Sequence, residues 1–140
     1  MKKLFLLVLL LASLKSFTQS KNEAAIRKLM DDQDAAWNRG DIDGFMKGYW
    51  KSDSLMFIGK SGVTYGWINT LNNYKKNYPD TASMGKLTFN LISVKHLSTQ
   101  YFHVVGKWHL QRSIGDIGGH FTLLFKKIKN RWFIIADHSS

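Results

Sequence analysis

Residues 35–50, AAWNRGDIDGFMKGYW, constrain the fold more than any other stretch of the chain. They contain the end of one amphipathic helix, a glycine stop and the start of a second helix. Gly40 stands where a left-handed residue after a helix end is wanted, and Asp41 is placed to cap the next helix. The apolar face of that second helix comprises Ile42, Phe45, Met46 and Tyr49. After Pro79 the sequence is strand-like. Helices followed by strands predict an α+β fold in which helices close one side of a curved sheet around a pocket.

The first twenty residues have the pattern of a signal peptide. Lys2 and Lys3 precede the apolar run 4–14, and small polar residues follow it. The run is about half of the roughly 20 residues that span a bilayer, so we expect cleavage rather than stable membrane insertion, with an uncleaved anchor as the alternative. Residues 21–140 are then one exported domain, periplasmic or extracellular. The absence of cysteine favours a bacterial periplasm.

The formal charge of +10 falls unevenly along the chain. Removing Lys2, Lys3 and Lys15 with the signal peptide leaves 10 − 3 = +7. Residues 61–140 contain ten basic and three acidic residues, so the excess lies in the strand half. Scattered lysines of this kind are typical of solvated strand edges and turns, with an anionic ligand or envelope surface as the alternative. Because an exported protein seldom meets nucleic acid, we predict no nucleic-acid partner.

The spacing of apolar residues also predicts which face of each helix and strand points into the core. Gln33 lies on the apolar stripe of the first helix and points inward, where its amide needs a hydrogen-bond partner. A third helix starts at Trp67, with Ile68, Leu71 and Tyr74 on one face, and Tyr78-Pro79 stops it. Four strands then form an antiparallel meander, with a bulge near Ile92 where the parity switches. The last two strands are apolar on both faces, which predicts that a second copy of the chain covers the sheet as a C2 homodimer.

These segments together resemble the nuclear transport factor 2-like superfamily. The residues that carry the likeness are AAWNRGDIDGFMKGYWKSDS, the Gly66-Trp67 helix start and the terminal GHFTLLFKKIKNRWFIIADHSS. The closest likeness is to the SnoaL-like branch, in the domain of unknown function called 4440. The resemblance implies a cone-shaped, cystatin-like fold: three helices on a strongly curved antiparallel or mixed sheet, commonly dimeric, with a deep apolar pocket. It does not select a function, because this superfamily contains enzymes, carriers and interaction modules.

The ketosteroid isomerase type within this superfamily implies three site positions. Its aspartate base corresponds to Ile58, its tyrosine donor to Gln33 and its acidic donor to Thr122. All three positions depart from that pattern. Proton abstraction next to a carbonyl needs a base of matched pKa within reach, and Ile58 cannot supply one.

Histidine supplies the candidate chemistry that remains. His120 and His138 are candidate acid–base residues, and Asp137 stands beside His138, although adjacent strand residues point to opposite faces. Parity places His120 on the same face as Thr122, and His138 on the same face as Trp132, Ile134 and Ala136. Alternatively, His138 and Ser139 only hold the last strand in place. No metal-ligand cluster, phosphate loop or dinucleotide motif is present, so no metal and no cofactor is predicted.

Aromatic residues supply most of the candidate pocket. The predicted lining residues are Gln33, Trp37, Trp50, Phe57, Tyr65, Trp67, Trp108 and Thr122. Core packing is the alternative for the aromatic members of this set. The sequence therefore predicts an exported pocket protein for a small, largely apolar or weakly anionic molecule. A lyase, isomerase or hydrolase that uses histidine, and an interaction module on the basic strand half, stay open.

Overall fold

The computed structural model describes residues 21–140, so the predicted signal peptide lies outside the described residues. Helix α1 covers residues 21–38. The other helices are α2, Ile42–Phe45, which continues into a 3₁₀ turn at Met46–Gly48, then α3, Trp67–Asn77, and α4, Thr81–Met84. The strands are β1, Met56–Gly59; β2, Gly62–Tyr65; β3, Lys86–Ser98; β4, Tyr101–Gln111; β5, Ile117–Ile128; and β6, Arg131–Ser139.

The strands form one mixed sheet in the order β2-β1-β6-β5-β4-β3. Strands β3 to β6 form the predicted antiparallel meander, and among the described strands only β1 and β6 pair in parallel. The β5–β6 turn at Lys129 and Asn130 has positive φ at both residues, as in the type I′ turns that match strand twist. The α+β prediction of helices packed on a curved, mixed sheet is confirmed.

Local capping explains where the helices begin and end. Gly40 has φ +79° after α1, and the Asp41 side chain accepts a hydrogen bond from the Gly44 N–H at 2.7 Å, both as expected. The prediction that everything after Pro79 is strand was wrong, because Asp80 and Ser83 form a capping box that starts α4. A four-residue helix is too short to show an apolar period.

Bulges bend the sheet at two places that matter for the site. The predicted bulge in β3 is present, as a register shift between Leu91 and Ser93. A second bulge lies in β6, where Leu124 pairs with Ala136 but Phe125 pairs with Ile134. The skipped residue, Ile135, changes which face the rest of β6 presents. The prediction that His138 shares a face with Ile134 was therefore wrong, and Asp137 turns inward instead.

The core lies between the helices and the inner face of the sheet. Its most deeply buried side chains are Ile26, Met46, Leu55, Phe102, Val104, Phe125 and Ile134. On α3 the buried side chains are Thr70 and Leu71, whereas Ile68 is 55% exposed and does not belong to the predicted inner face. Within residues 21–140, no helix has both the length and the apolar character that a membrane crossing requires.

Candidate functional site

Within residues 21–140, the inner face of the sheet carries one buried carboxyl group, on Asp137, which is 4% exposed. The Tyr49 hydroxyl donates to Asp137 Oδ2 at 2.7 Å, and the Ser139 hydroxyl donates to Oδ1 at 2.7 Å. The Tyr74 hydroxyl lies 3.4 Å from that of Tyr49. Four polar side chains are thereby joined in a row, which we call the Asp137 cluster: Tyr74, Tyr49, Asp137 and Ser139.

Each member of the Asp137 cluster is positioned by backbone pairing or helix packing. Tyr49 follows the 3₁₀ turn in an extended conformation, bridges to Ile134 of β6, and is held there by the Trp50 N–H donating to the Ile134 carbonyl at 2.9 Å. Asp137 and Ser139 alternate along β6 and so share its inner face. Tyr74 enters from α3 on the opposite side of the interior.

Burial dominates the electrostatics of this carboxyl group. Desolvation raises the pKa of Asp137 from 3.8 to about 6, and the hydrogen bonds from Tyr49 and Ser139, with the charge of His138, oppose that rise. Among residues 21–140, no ion pair involves Asp137. A carboxyl group without a basic partner, kept inside by neutral hydroxyl groups, is costly and marks a candidate functional site.

The two tyrosines of the cluster stay protonated across the physiological range. Burial is the largest cause that raises the pKa of Tyr49 and of Tyr74 well above 10, and the nearby carboxyl of Asp137 adds to it. Their hydroxyl groups can therefore exchange hydrogen-bond direction but do not ionise. Asp137 is the member whose charge changes near pH 6.

Aromatic rings surround the Tyr74 end of the cluster. The Tyr74 ring centroid lies 5.3 Å from Phe45, 5.7 Å from Phe57 and 5.9 Å from Trp37. The inner face is not completely covered, because several residues that pack on the core are only half-buried. These are Phe57, Tyr74, Tyr78, Phe89, Trp108 and Ser139. Each is therefore partly open to solvent while it contacts the apolar core or the Asp137 cluster.

Four of the predicted site residues lie on the outer surface instead. Thr122, His120 and His138 are exposed, as expected for strand neighbours of the inward Phe121, Leu123 and Asp137. Tyr65 is 61% exposed, because it pairs with Met56 on the outer side of β1. The structure therefore corrects the prediction that Thr122 and Tyr65 line the interior, and it places His120 and His138 on the opposite face of the sheet from the Asp137 side chain.

The predicted lining residues Gln33, Trp37 and Trp67 each use their side-chain N–H to bind a backbone carbonyl. Gln33 is 3% exposed and donates from Nε2 to the Phe45 carbonyl at 3.0 Å, which confirms that it points inward. Trp37 donates to the Met84 carbonyl at 3.1 Å, and Trp67 donates to the Met46 carbonyl at 3.0 Å. These three side chains tie helices and loops together.

Phe57, Trp50 and Trp108 are the predicted lining residues that remain. Phe57 lies beside Tyr74, and Trp50 is half-buried next to Tyr49 in the chain. Trp108 packs on the core, and its Nε1 is buried with no hydrogen-bond acceptor among the described residues. An indole N–H without an acceptor is a donor that a ligand oxygen would satisfy.

The outer face has a depression of its own, open to solvent and about 170 Å³ in volume. It is lined by Met56, Ile58, His103, Thr122, Leu124, Ala136 and His138, together with Leu123 and Asp137, which are both buried. Within residues 21–140, no three His, Cys, Asp or Glu side chains lie close enough together to hold a metal ion. The Asp137 cluster, Tyr78 and Trp108 therefore offer the described interior one carboxyl group, three phenols, a hydroxyl and an indole N–H.

The chain is similar to a nuclear transport factor 2-like protein of unknown function from Shewanella oneidensis. The two share 47% identity and superimpose with a TM-score of 0.80 over 84% of this chain and 97% of the other. The chain belongs to the nuclear transport factor 2-like family. No protein-family model matches the sequence, and no curated protein matches it significantly.

More distant solved structures agree with this chain in fold alone. A domain with a cystatin-like fold from Nostoc punctiforme has 18% identity and a TM-score of 0.70, over 84% of this chain and 75% of the other. A ketosteroid isomerase-like protein from Erwinia carotovora has 16% identity and a TM-score of 0.65, over 84% of this chain and 93% of the other. The resemblance inferred from the sequence is thereby confirmed at the level of the nuclear transport factor 2-like fold.

Sequence reasoning missed the partners of Asp137. Tyr74 was assigned correctly to a helix, whereas Tyr49, predicted on the second helix, follows the 3₁₀ turn in an extended conformation. The hydroxyl groups of both were not followed to a partner. A tyrosine on a buried face needs an acceptor for its O–H, and that requirement was the available signal. Two such tyrosines and one aspartate near the chain end form the set that the fold brings together.

Proposed function

We propose that this protein is an exported member of the SnoaL-like branch that binds a small, largely apolar molecule inside the cone. The observation that carries the proposal is the Asp137 cluster. It places a carboxyl group and three hydroxyl groups on an otherwise apolar inner face, next to half-buried aromatic rings. Ligand sites typically combine a mostly apolar lining with a few polar groups that orient the ligand.

The burial of Asp137 argues for a ligand and against a purely structural role. Burying a carboxyl group away from any basic partner carries a desolvation penalty, so folding alone does not favour a carboxyl group there. The same burial argues against the weakly anionic ligand that the sequence left open. A second negative charge near an unpaired carboxylate would be repelled in this low-dielectric interior.

The binding proposal predicts different behaviour for two tyrosines. Tyr74→Phe removes the hydroxyl at the ligand end of the cluster, and Tyr65→Phe removes one from the exposed outer side. We expect fragments that bind the wild-type protein to bind Tyr74→Phe about fivefold more weakly, since a neutral hydrogen bond contributes about 1 kcal/mol. Tyr65→Phe should bind them unchanged. Protein-observed NMR with a library of neutral fragments measures both affinities.

The site of the NMR shifts decides that experiment. Shifts at Phe57, Phe89 and Trp108 would place the fragments inside the cone. Shifts confined to the outer depression, or none at millimolar fragment concentration, would contradict the proposal.

Acid–base catalysis at the same cluster is the second candidate function. It is favoured by the pKa of Asp137, which at about 6 suits a group that gives and takes a proton near neutral pH. This assignment moves the acid–base role from the two outer histidines to the carboxyl group inside. Turnover that disappears in Asp137→Asn while fragment binding persists would distinguish catalysis from binding.

We also propose that the outer face of the sheet forms a homodimer. Val63 and Tyr65 are 52% and 61% exposed there, and they continue the apolar lining of the outer depression at Met56 and Ile58. Sedimentation velocity at tens of micromolar should give a dimer for the wild type and a monomer for Ile58→Lys. Ile114→Lys places the same charge at another exposed isoleucine, off this face, and should stay dimeric. A monomeric wild type would contradict the proposal.

A further inference from the structure

The hydrogen bonds of the Asp137 cluster can run in one of two directions. With Asp137 ionised, Tyr49 donates to Oδ2 and Ser139 donates to Oδ1, because a carboxylate only accepts. Tyr49 has then used its one hydrogen, so the contact between the phenols requires Tyr74 to donate to Tyr49. Tyr74 is left with lone pairs and no hydrogen for any further partner.

Protonation of Asp137 at Oδ2 reverses this row. The carboxylic acid donates its hydrogen to the Tyr49 oxygen, so Tyr49 donates onward to Tyr74. The Tyr74 hydrogen is then free. Among residues 21–140, the only hydrogen-bond partner of the Tyr74 hydroxyl is Tyr49, so this free hydrogen has no acceptor within the described chain.

We propose that the Asp137 cluster is a polarity switch for the ligand. With Asp137 ionised, Tyr74 accepts a hydrogen bond and selects ligands that carry O–H or N–H; with Asp137 protonated, Tyr74 donates and selects ligands that carry a carbonyl oxygen. The ligand touches Tyr74, while Asp137 acts through Tyr49. This inference rests on the proposed binding function and specifies its ligand class as neutral molecules with one hydrogen-bonding group.

Among the groups that face one another in this cluster, Asp137 is the one whose protonation changes near neutral pH. From the loop after the 3₁₀ turn comes Tyr49, and from α3 comes Tyr74 with Tyr78 beside it. Burial raises the pKa of all three phenols, so they stay protonated. On β6, Ser139 does not titrate. His138 lies on the outer face, and its charge lowers the pKa of Asp137. The neighbouring strands contribute the apolar Leu123 and Phe57.

The switch predicts opposite pH dependences for two matched probes. 1-Indanone is a bicyclic acceptor without a donor, indole is a bicyclic donor of similar size, and neither ionises between pH 5 and 7.5. With a pKa of about 6, the protonated fraction of Asp137 falls about 30-fold between pH 5 and pH 7.5, and the ionised fraction rises about tenfold. NMR titration of the purified protein should show indanone affinity falling by up to that first factor and indole affinity rising by up to the second.

Two variants separate the switch from other causes of pH dependence. Asp137→Asn keeps the shape and offers a permanent N–H to Tyr49, so it should bind 1-indanone at pH 7.5 as well as at pH 5. His138→Gln removes the nearby histidine ring on the outer face and should keep both opposite pH dependences. Tyr74→Phe should bind both probes weakly, without a pH dependence.

The outcomes distinguish the inference from the function on which it rests. Opposite pH dependences that Asp137→Asn abolishes would support the switch. Binding of both probes with the same or no pH dependence would overturn the switch and leave the binding function standing. Failure of both probes to bind the interior at any pH would overturn both.

Discussion

Trp37→Ala should lower the free energy of unfolding by about 3–5 kcal/mol, the usual cost of removing a large aromatic side chain from a core. Trp37 is 3% exposed and packs from α1 against aromatic residues of α2 and α3. Its ring centroid is 4.9 Å from Tyr78, 5.2 Å from Phe45 and 5.9 Å from Tyr74. Urea denaturation followed by far-UV circular dichroism measures the change. Because Trp37 packs against Tyr74, the same variant should also bind interior ligands more weakly.

Paired tryptophan substitutions separate the hydrogen bond of Trp37 from its packing. Trp37→Phe keeps an aromatic ring but leaves the buried Met84 carbonyl without its donor, a loss worth about 1–3 kcal/mol. Trp108→Phe makes the same chemical change at an indole N–H that has no acceptor among the described residues. We expect Trp37→Phe to destabilise the protein more than Trp108→Phe. Equal losses would mean that the bond to Met84 contributes nothing.

The sequence predicted the parts of the fold that depend on local signals. Gly40 and Asp41 marked the break between α1 and α2, and the structure has the positive φ and the cap at those residues. The bulge in β3 was visible because apolar residues changed parity at Ile92. In each place a single residue type changed a pattern that neighbouring residues had established.

The bulge in β6 could not be predicted, because the sequence shows no change of pattern at that position. It falls at Ile135, between Ile134 and Ala136, where every residue is apolar and skipping one leaves no mark on the pattern. That one residue decides whether Asp137 or His138 faces the core. Sequence reasoning chose His120, His138 and Asp137 as candidate catalytic residues from their chemistry, whereas the register turns Asp137 inward and both histidines outward.

The candidate site combines residues that are far apart in the chain. Tyr49 reaches Asp137 across 88 positions, and only the parallel pairing of β1 with β6 and the bridge at Ile134 bring them together. A single sequence contains no signal for such a contact. However, each buried hydroxyl group needs a hydrogen-bond partner, so the candidate partners are limited to the few polar residues predicted on inner faces.

The second large effect that we expect is a pH dependence of stability caused by Asp137. Its pKa in the folded protein, about 6, lies above the ordinary value of 3.8, so the folded state binds its proton more tightly than the unfolded state does. The stabilisation from this group is complete below pH 3.8 and is lost as the pH rises through 6. The full span is about 3 kcal/mol, of which about 1.5 kcal/mol falls between pH 5 and pH 7.5. The wild type should therefore be more stable at pH 5.

Two variants test whether Asp137 causes this dependence. Asp137→Asn cannot ionise, so the stability difference between pH 5 and pH 7.5 should shrink by about 1.5 kcal/mol relative to the wild type. Tyr49→Phe removes a hydrogen-bond donor that favours the ionised carboxyl group, so it should raise the pKa of Asp137 further. The loss of stability with rising pH should then occur at higher pH than in the wild type. The capping hydrogen bonds lower the pKa values of Asp41 and Asp80, so these two groups make the stability rise with pH. Their effect falls at more acidic pH than that of Asp137. Urea denaturation at a series of pH values gives all three curves, and a difference that persists unchanged in Asp137→Asn would assign the effect to other groups.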